Sequence, residues 1–204
     1  METEFKFCID DTSLVDKILN DSMLDDYVDR NALEVIDMKA VFFYTDDLVS
    51  RKAVISYRVR YENERITATV KWDNKVEDGL HSREEFNLVI NDERFAMEPD
   101  IEAFESSEAY DVLIKAAGSK KLKEVMKMDF TRELLKIDTG DSISALSFDI
   151  GTVHGESGDV PISEMELEWY HGSEEDFKYI ASKLAEKYNL KAENISKLQK
   201  GFAE

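Results

Sequence analysis

Charged and large apolar side chains alternate through much of this sequence. Glu2, Glu4 and Lys6 alternate with Phe5 and Phe7, and Arg58 and Arg60 with Tyr57, Val59 and Tyr61. Thr67, Thr69 and Lys71 interleave with Ala68, Val70 and Trp72, and Arg83, Glu85 and Asn87 with Phe86 and Leu88. Ser147 and Asp149 flank Phe148, and Glu164, Glu166 and Glu168 flank Met165 and Leu167. A period of two belongs to a β-strand, whose successive side chains point to opposite faces. The pattern predicts strands over 2–9, Met38–Thr45, Val54–Tyr61, Arg65–Trp72, Ser82–Ile90, Lys121–Ile137, Ile143–Val153 and Ile162–Tyr170. The third and fourth form a hairpin across Glu62-Asn63-Glu64. Helical spacing predicts a helix over Leu14–Tyr27, with Thr12 or Ser13 as N-cap. A second helical region opens at Pro99 and runs to about Ala117, before Gly118. A third follows Gly172-Ser173, with Phe177, Ile180, Leu184 and Tyr188 on one face, and a short helical tail comes after it. Asp138–Asp141 reads as a turn and His154–Asp159 as a Gly-rich loop. Strands and helices do not alternate as βαβ units, so the class is α+β with a mainly antiparallel sheet.

Two arrangements satisfy these faces. One is a sheet with a solvated face and a face covered by helices. The other is a sheet closed on itself, with the charges inside and the apolar face covered outside, which also removes free sheet edges. Clustering of one charge sign by strand, and the large apolar residues flanking each Arg and Glu, favour closure. Like charges this close repel, so metal cations beside the glutamates and a polyanion beside the basic residues are the expected counter-charges.

Composition narrows the function classes. The 204 residues suffice for one sizeable core, and residues 1–204 are expected to form a single domain. The net charge of −19, from 45 acidic and 26 basic residues, argues against a nucleic-acid partner. It leaves room for a small polyanion bound in a local basic cleft. No apolar run of about 18 residues predicts a membrane span. Glu2 and Glu4 stand where a signal peptide carries positive charge. Cys8 is the only cysteine, fits a reducing cytoplasm, and reads as a small core residue. His81, His154 and His171 lack zinc-ligand spacing and read as surface residues. There is no P-loop and no Gly-x-Ser-x-Gly motif.

The ordered motifs resemble one family. Glu2-x-Glu4-x-Lys6 is similar to the ExExK signature of the CYTH superfamily, the triphosphate tunnel metalloenzymes. Arg51–Arg60, Thr69-Val70-Lys71, Arg83-Glu84-Glu85-Phe86 and Thr131-Arg132 resemble its successive basic strands. Phe148-Asp149-Ile150-Gly151 and Glu164-x-Glu166-x-Glu168 resemble its later acidic strands, and Ser196–Gly201 the tail of bacterial inorganic triphosphatase domains. The chain departs from the family at Tyr44, where an acidic residue is common, at Asn87, where a second glutamate often follows, and at Val54, which replaces a glycine. The resemblance implies an eight-stranded antiparallel tunnel barrel with a charged lumen and helices outside.

The residue chemistry agrees. Arginine forks donate paired hydrogen bonds to phosphate oxygens, so Arg58, Arg60, Arg83 and Arg132, with Lys6 and Lys71, are expected to hold polyphosphate. Hard carboxylates suit Mg²⁺ or Mn²⁺, so Glu2, Glu4, Glu164 and Glu166 are expected metal ligands. Glu85, Asp149 and Glu168 are expected further ligands or water-orienting catalytic groups. Arg51 and Lys52 are adjacent, so at most one points inward. Lys197 either approaches the tunnel or is a solvated helix lysine. The expected activity is metal-dependent hydrolysis of inorganic triphosphate, a small-molecule substrate, to pyrophosphate and phosphate. The alternatives are a class IV-type adenylyl cyclase, a thiamine triphosphatase and a non-catalytic polyphosphate-binding module. The sequence does not specify an oligomeric state.

Overall fold

The structure is a computed structural model that describes residues 1–45, 55–91, 98–118, 120–156 and 158–202. Arg51, Lys52 and Val54 lie outside the described residues. Among the described residues nine strands are present: β1 (Glu2–Cys8), β2 (Glu34–Tyr44), β3 (Ser56–Glu62), β4 (Arg65–Glu77), β5 (Leu80–Ile90), β6 (Lys123–Asp138), β7 (Ser142–Gly155), β8 (Gly158–Gly172) and β9 (Lys191–Ala192). The first eight close into a ring. The order β5-β4-β3-β2-β6-β7-β8-β1 is completed by direct pairing of β1 with β5, and β9 lies outside on β1. All these pairings are antiparallel. The closed sheet is therefore the arrangement adopted.

Closure follows from where the apolar face finds cover. Phe7, Leu135, Ile137, Leu146, Phe148, Met165 and Leu167 point outward and pack under α1 (Ser13–Leu19) and α3 (Glu174–Tyr188). Phe43, Tyr57, Val59, Ala68 and Val70 pack under α2 (Glu108–Ala117) and the 3₁₀ turn Ile101–Phe104. Burying apolar area contributes about 25 cal/mol per Å², so two outer cores leave the other face, with its charges, to the lumen. A third cluster occupies one end of the lumen. There Ala40, Phe42, Tyr44, Met126, Met128, Val153 and Ile162 pack against Leu198, within the short helix α4 (Lys197–Lys200), and Phe202, just after it.

Several boundaries differ from the sequence expectation. The first helix stops at Leu19, because the buried Asp21 accepts from Met23 N and starts a 3₁₀ turn instead. Asp21 also takes Tyr188 Oη at 2.5 Å and Lys187, locking that turn to α3. The region after Pro99 breaks into the 3₁₀ turn and α2, separated by Ser106 at φ 70°. Ser107 then caps α2 through Tyr110 N. The expected loop His154–Asp159 is mostly strand, since β7 and β8 run to Gly155 and Gly158.

Candidate active site

Side-chain parity places the expected residues on one surface. A cavity of about 290 Å³ inside the barrel is reached by all six expected phosphate-binding cations. Glu2, Glu4, Glu85, Glu166 and Glu168 also line it. Asp149 and Glu164 do not line it, and both are fully buried.

The charges neutralise one another in an alternating chain. Lys71 bridges Glu85 and Glu2, and Arg83 bridges Glu2, at 2.5 Å, and Glu4. Lys6 joins Glu4 to Glu166. Arg132 grips Asp149 through two parallel bonds of 2.7 and 2.6 Å and reaches Glu166 at 2.7 Å. Burial raises the Glu166 pKa, but Lys197, Lys6 and Arg132 overcome it and hold the carboxyl well below its ordinary value. Glu2 behaves likewise under Lys71 and Arg83. Much of the counter-charge expected from metal and ligand is thus supplied by the chain itself, because antiparallel register sets basic strands beside acidic ones.

Two kinds of group stand outside this balance. Arg58 is half-buried, and its Nε and Nη2 atoms are buried without a hydrogen-bond partner; Arg60 Nε and Thr67 Oγ1 are unpartnered too. Arg60 pairs only sideways, with Glu62 at 3.0 Å. Burial and the neighbouring Arg60 push the Arg58 guanidinium down to about 10. Glu168 is the acidic counterpart. Burial, then the charges of Glu2, Glu4 and Glu85, push its carboxyl up to about 7. One side of the cavity therefore lacks an anion and another lacks a cation.

Lys197 is the residue whose role the sequence left open. Its Nζ lies 2.8 Å from Asp149 Oδ2, 2.8 Å from Glu164 Oε2 and 2.6 Å from Glu166 Oε1, and 5.7 Å from the centroid of Phe130. Burial depresses it, yet the three carboxylates hold it well above the ordinary lysine value. α4 is fixed for this task. Ser196 and Gln199 form a reciprocal capping box. A Cβ on Gly155 would stand 2.0 Å from the Gly201 carbonyl oxygen, so glycine at 155 permits the backbone approach. Lys200 Nζ reaches Glu164 at 2.5 Å and Glu193 at 2.7 Å.

Two expectations from the sequence are corrected. His81 is fully buried, with Nε2 2.8 Å from the Glu193 carbonyl; pairing of β1 with β5 sets it opposite Glu4. His154 and His171 are exposed as expected. Cys8 is half-buried in polar company, its thiol 3.3 Å from Glu193 Oε2. The sequence reading also missed an apolar wall. Ile36, Met38, Ala40 and Phe42 of β2 face the cavity together with Met128, Phe130 and Leu134 of β6. At two of the departures from the family, Asn87 is bonded to Thr69 at 2.7 Å and to Glu85, while the buried Tyr44 hydroxyl donates to Ile55 O at 2.7 Å.

The donor set fits a hard divalent cation in kind, since the cavity carboxylates are oxygen ligands and Glu168, beside Glu2, Glu4 and Glu85, has no ion pair of its own among the described residues. Among the described residues no group of three or more ligand side chains is gathered and free for a metal. The four expected metal ligands fall into two pairs. Glu2 and Glu4 meet on Arg83, whereas Glu164 and Glu166 meet on Lys197.

A closed antiparallel barrel whose lumen gathers arginines and carboxylates around a small cavity defines a tunnel-barrel protein with a charged interior. The chain belongs to the CYTH family: the CYTH domain profile matches residues 1–202. An inorganic triphosphatase of Haemophilus influenzae is 25% identical over 159 residues, covering 78% of this chain and 43% of that protein. The chain thus spans less than half the length of this curated relative. Among solved structures, a "putative adenylyl cyclase" from Hippeastrum, described as having a dominant triphosphatase activity, is similar with a TM-score of 0.68 at 16% identity. That match covers 97% of this chain and 93% of the other. PH1012 of Pyrococcus horikoshii follows with a TM-score of 0.55 at 17% identity, over 97% and 95%. Both likenesses concern the fold. No helix among the described residues is long and apolar enough to cross a membrane.

Proposed function

We propose that this chain hydrolyses inorganic triphosphate to pyrophosphate and phosphate with the help of a bound divalent cation, Mg²⁺ or Mn²⁺. The observation that carries this reading is the unsatisfied pair Arg58 and Arg60. Buried donors without partners are costly, and a phosphate oxygen is the acceptor that a guanidinium fork matches. Arg83, Arg132, Lys6 and Lys71 surround the same cavity, so a chain of three phosphates meets cations from five strands. The likeness to an inorganic triphosphatase supports the choice of substrate.

Phosphoryl transfer needs positioning and charge neutralisation more than covalent chemistry. Arg58 and Arg60 bind and orient the polyphosphate. Lys6 and Arg132 exchange part of their contact with Glu166 for phosphate oxygens. Glu168, placed in the acidic half, accepts a proton from the attacking water, and Glu85 orients that water. Asp149 holds the Arg132 guanidinium in place rather than touching water, because both its oxygens are bonded and it is sealed from the cavity. Glu2 and Glu4, with Glu168, would hold the divalent cation, which when bound would neutralise phosphate charge and lower the pKa of a water. The water oxygen bonds the terminal phosphorus, the bridging P–O bond breaks, and pyrophosphate leaves with the bridging oxygen.

The apolar wall supports a second reading, an organic triphosphate whose non-phosphate group rests on Ile36, Met38 and Leu134. A panel of inorganic triphosphate, ATP and thiamine triphosphate, read out as phosphate, pyrophosphate and cyclic AMP, tests both. Release of phosphate and pyrophosphate from inorganic triphosphate is expected. Turnover of ATP to cyclic AMP alone, or binding without turnover, overturns the proposal.

A further inference from the structure

We propose that the Lys197 ammonium takes the place of a second divalent cation, so that the folded chain binds one such ion and not two. The inference rests on the metal-dependent reading above and concerns how many ions that reading involves.

The geometry is that of an occupied cation cage. An ammonium has three donors. Lys197 donates to Glu164 and Glu166 and makes an ion pair with Asp149, so three carboxylates stand 2.6–2.8 Å from its Nζ. Access matters as much as distance. Asp149 and Glu164 have no exposed surface, and neither lines the cavity, whereas Lys197 does. The ammonium therefore stands between the cavity and those carboxylates, and an ion entering with substrate meets Lys197 first. Their remaining oxygens are also engaged, Glu164 Oε1 by Lys200 and Asp149 Oδ1 by Arg132.

The lysine is not free to swing away. α4 is one turn long, closed by its capping box. Its end is pressed on β7 through Gly155 and Gly201, and its apolar side is seated by Leu198 and Phe202 in the core at that end of the lumen. Displacing Lys197 would strip a counter-ion from three buried carboxylates at once, which is strongly unfavourable for buried charge. The opposite part of the cavity differs. Glu2, Glu4, Glu85 and Glu168 all reach the cavity wall, and Glu168 is not among the carboxylates paired to a cation there. There a single ion would meet Glu168, which makes no ion pair among the described residues, beside Glu2 and Glu4, which it would share with Lys71, Arg83 and Lys6.

Mn²⁺ titration, followed by the EPR signal of the free ion and without substrate, reads the number bound. One ion per chain is expected for the wild type. Lys197→Met, checked for a cooperative melt, is expected to bind two. Glu164→Gln is expected to keep one ion with its affinity changed less than threefold, since Glu164 is committed to the lysines. This arm stands even if Lys197→Met fails to fold. Two ions on the wild type, or loss of an ion in Glu164→Gln, overturns the inference and leaves the metalloenzyme reading intact. Lys197→Met folded but still binding one ion also overturns it. No ion on the wild type overturns both.

Discussion

Arg132 and Asp149 face each other across β6 and β7 as direct register partners and join through two parallel hydrogen bonds. Asp149 is completely buried, and Lys197 shares its second oxygen. Breaking a buried pair by removing one partner costs about 3–5 kcal/mol. Asp149→Asn is therefore expected to lower stability by about that amount, measured by urea unfolding of the metal-free protein. A loss below about 1 kcal/mol, the range of exposed pairs, means that the pair is not shielded as the structure has it.

Arg58 presents the opposite case, a half-buried cation whose buried Nε and Nη2 have no acceptor. Arg58→Ala is expected to raise the melting temperature without ligand and to weaken triphosphate binding by roughly 1.5–3 kcal/mol, the worth of charge-assisted hydrogen bonds. Lys127→Ala, on a side chain 53% exposed, is the control and should change neither. Calorimetric titration of the two variants decides. Equal small losses mean that Arg58 does not hold phosphate.

Activity is expected to vanish in EDTA and to return with Mg²⁺ or Mn²⁺, because Glu168, pushed up to about 7 by burial and by Glu2, Glu4 and Glu85, has no ion-pair partner of its own among the described residues. A coupled phosphate assay before and after re-addition checks this. Undiminished turnover in chelator contradicts a metal-assisted reaction.

Glu168 also gives stability a pH dependence. Its folded pKa, about 7, lies above that of an unfolded glutamate, about 4.3. Between these values the folded state binds more protons than the unfolded state, so this group's contribution falls as pH rises from about 4.3 to 7 and is constant beyond. Glu168→Gln removes the effect. In EDTA the variant is expected to melt higher than the wild type at pH 8, with the gap closing towards pH 5. A gap independent of pH shows that the carboxyl titrates normally.

Much of the lumen was legible because its signal is local. Glu2-x-Glu4-x-Lys6 and Arg58-x-Arg60 carry their facing in a period of two, so parity alone put them together. β2 hid its contribution because its polarity is the reverse. Val35, Asp37 and Lys39 are exposed outside, while Met38, Ala40 and Phe42 are buried inside, so the strand offered no charged face to notice. What depends on register was not legible. Lys6 meets Glu166 across 160 residues and Lys197 meets Glu164 across 33, and nothing near either residue in sequence announces its partner. His81 was misjudged for the same reason, since its burial comes from the terminal segment at Glu193 crossing over it. The first helix was drawn too long because helical spacing cannot show that the Asp21 carboxylate is taken by Tyr188 from the far end of the chain.

The seam where β1 enters between β5 and β8 bears on how the molecule reaches its native state. β1 is the first strand made, yet its partners β5 and β8 begin at Leu80 and Gly158. Rate falls as contacting residues lie further apart in sequence, so ring closure is a slow, late event. Until it happens, Glu4 and Glu166 lack Lys6, and Glu2 and Glu4 lack Arg83. A half-built barrel is thus a poor resting point, and formation of the ring and appearance of binding competence are expected to share a single kinetic phase.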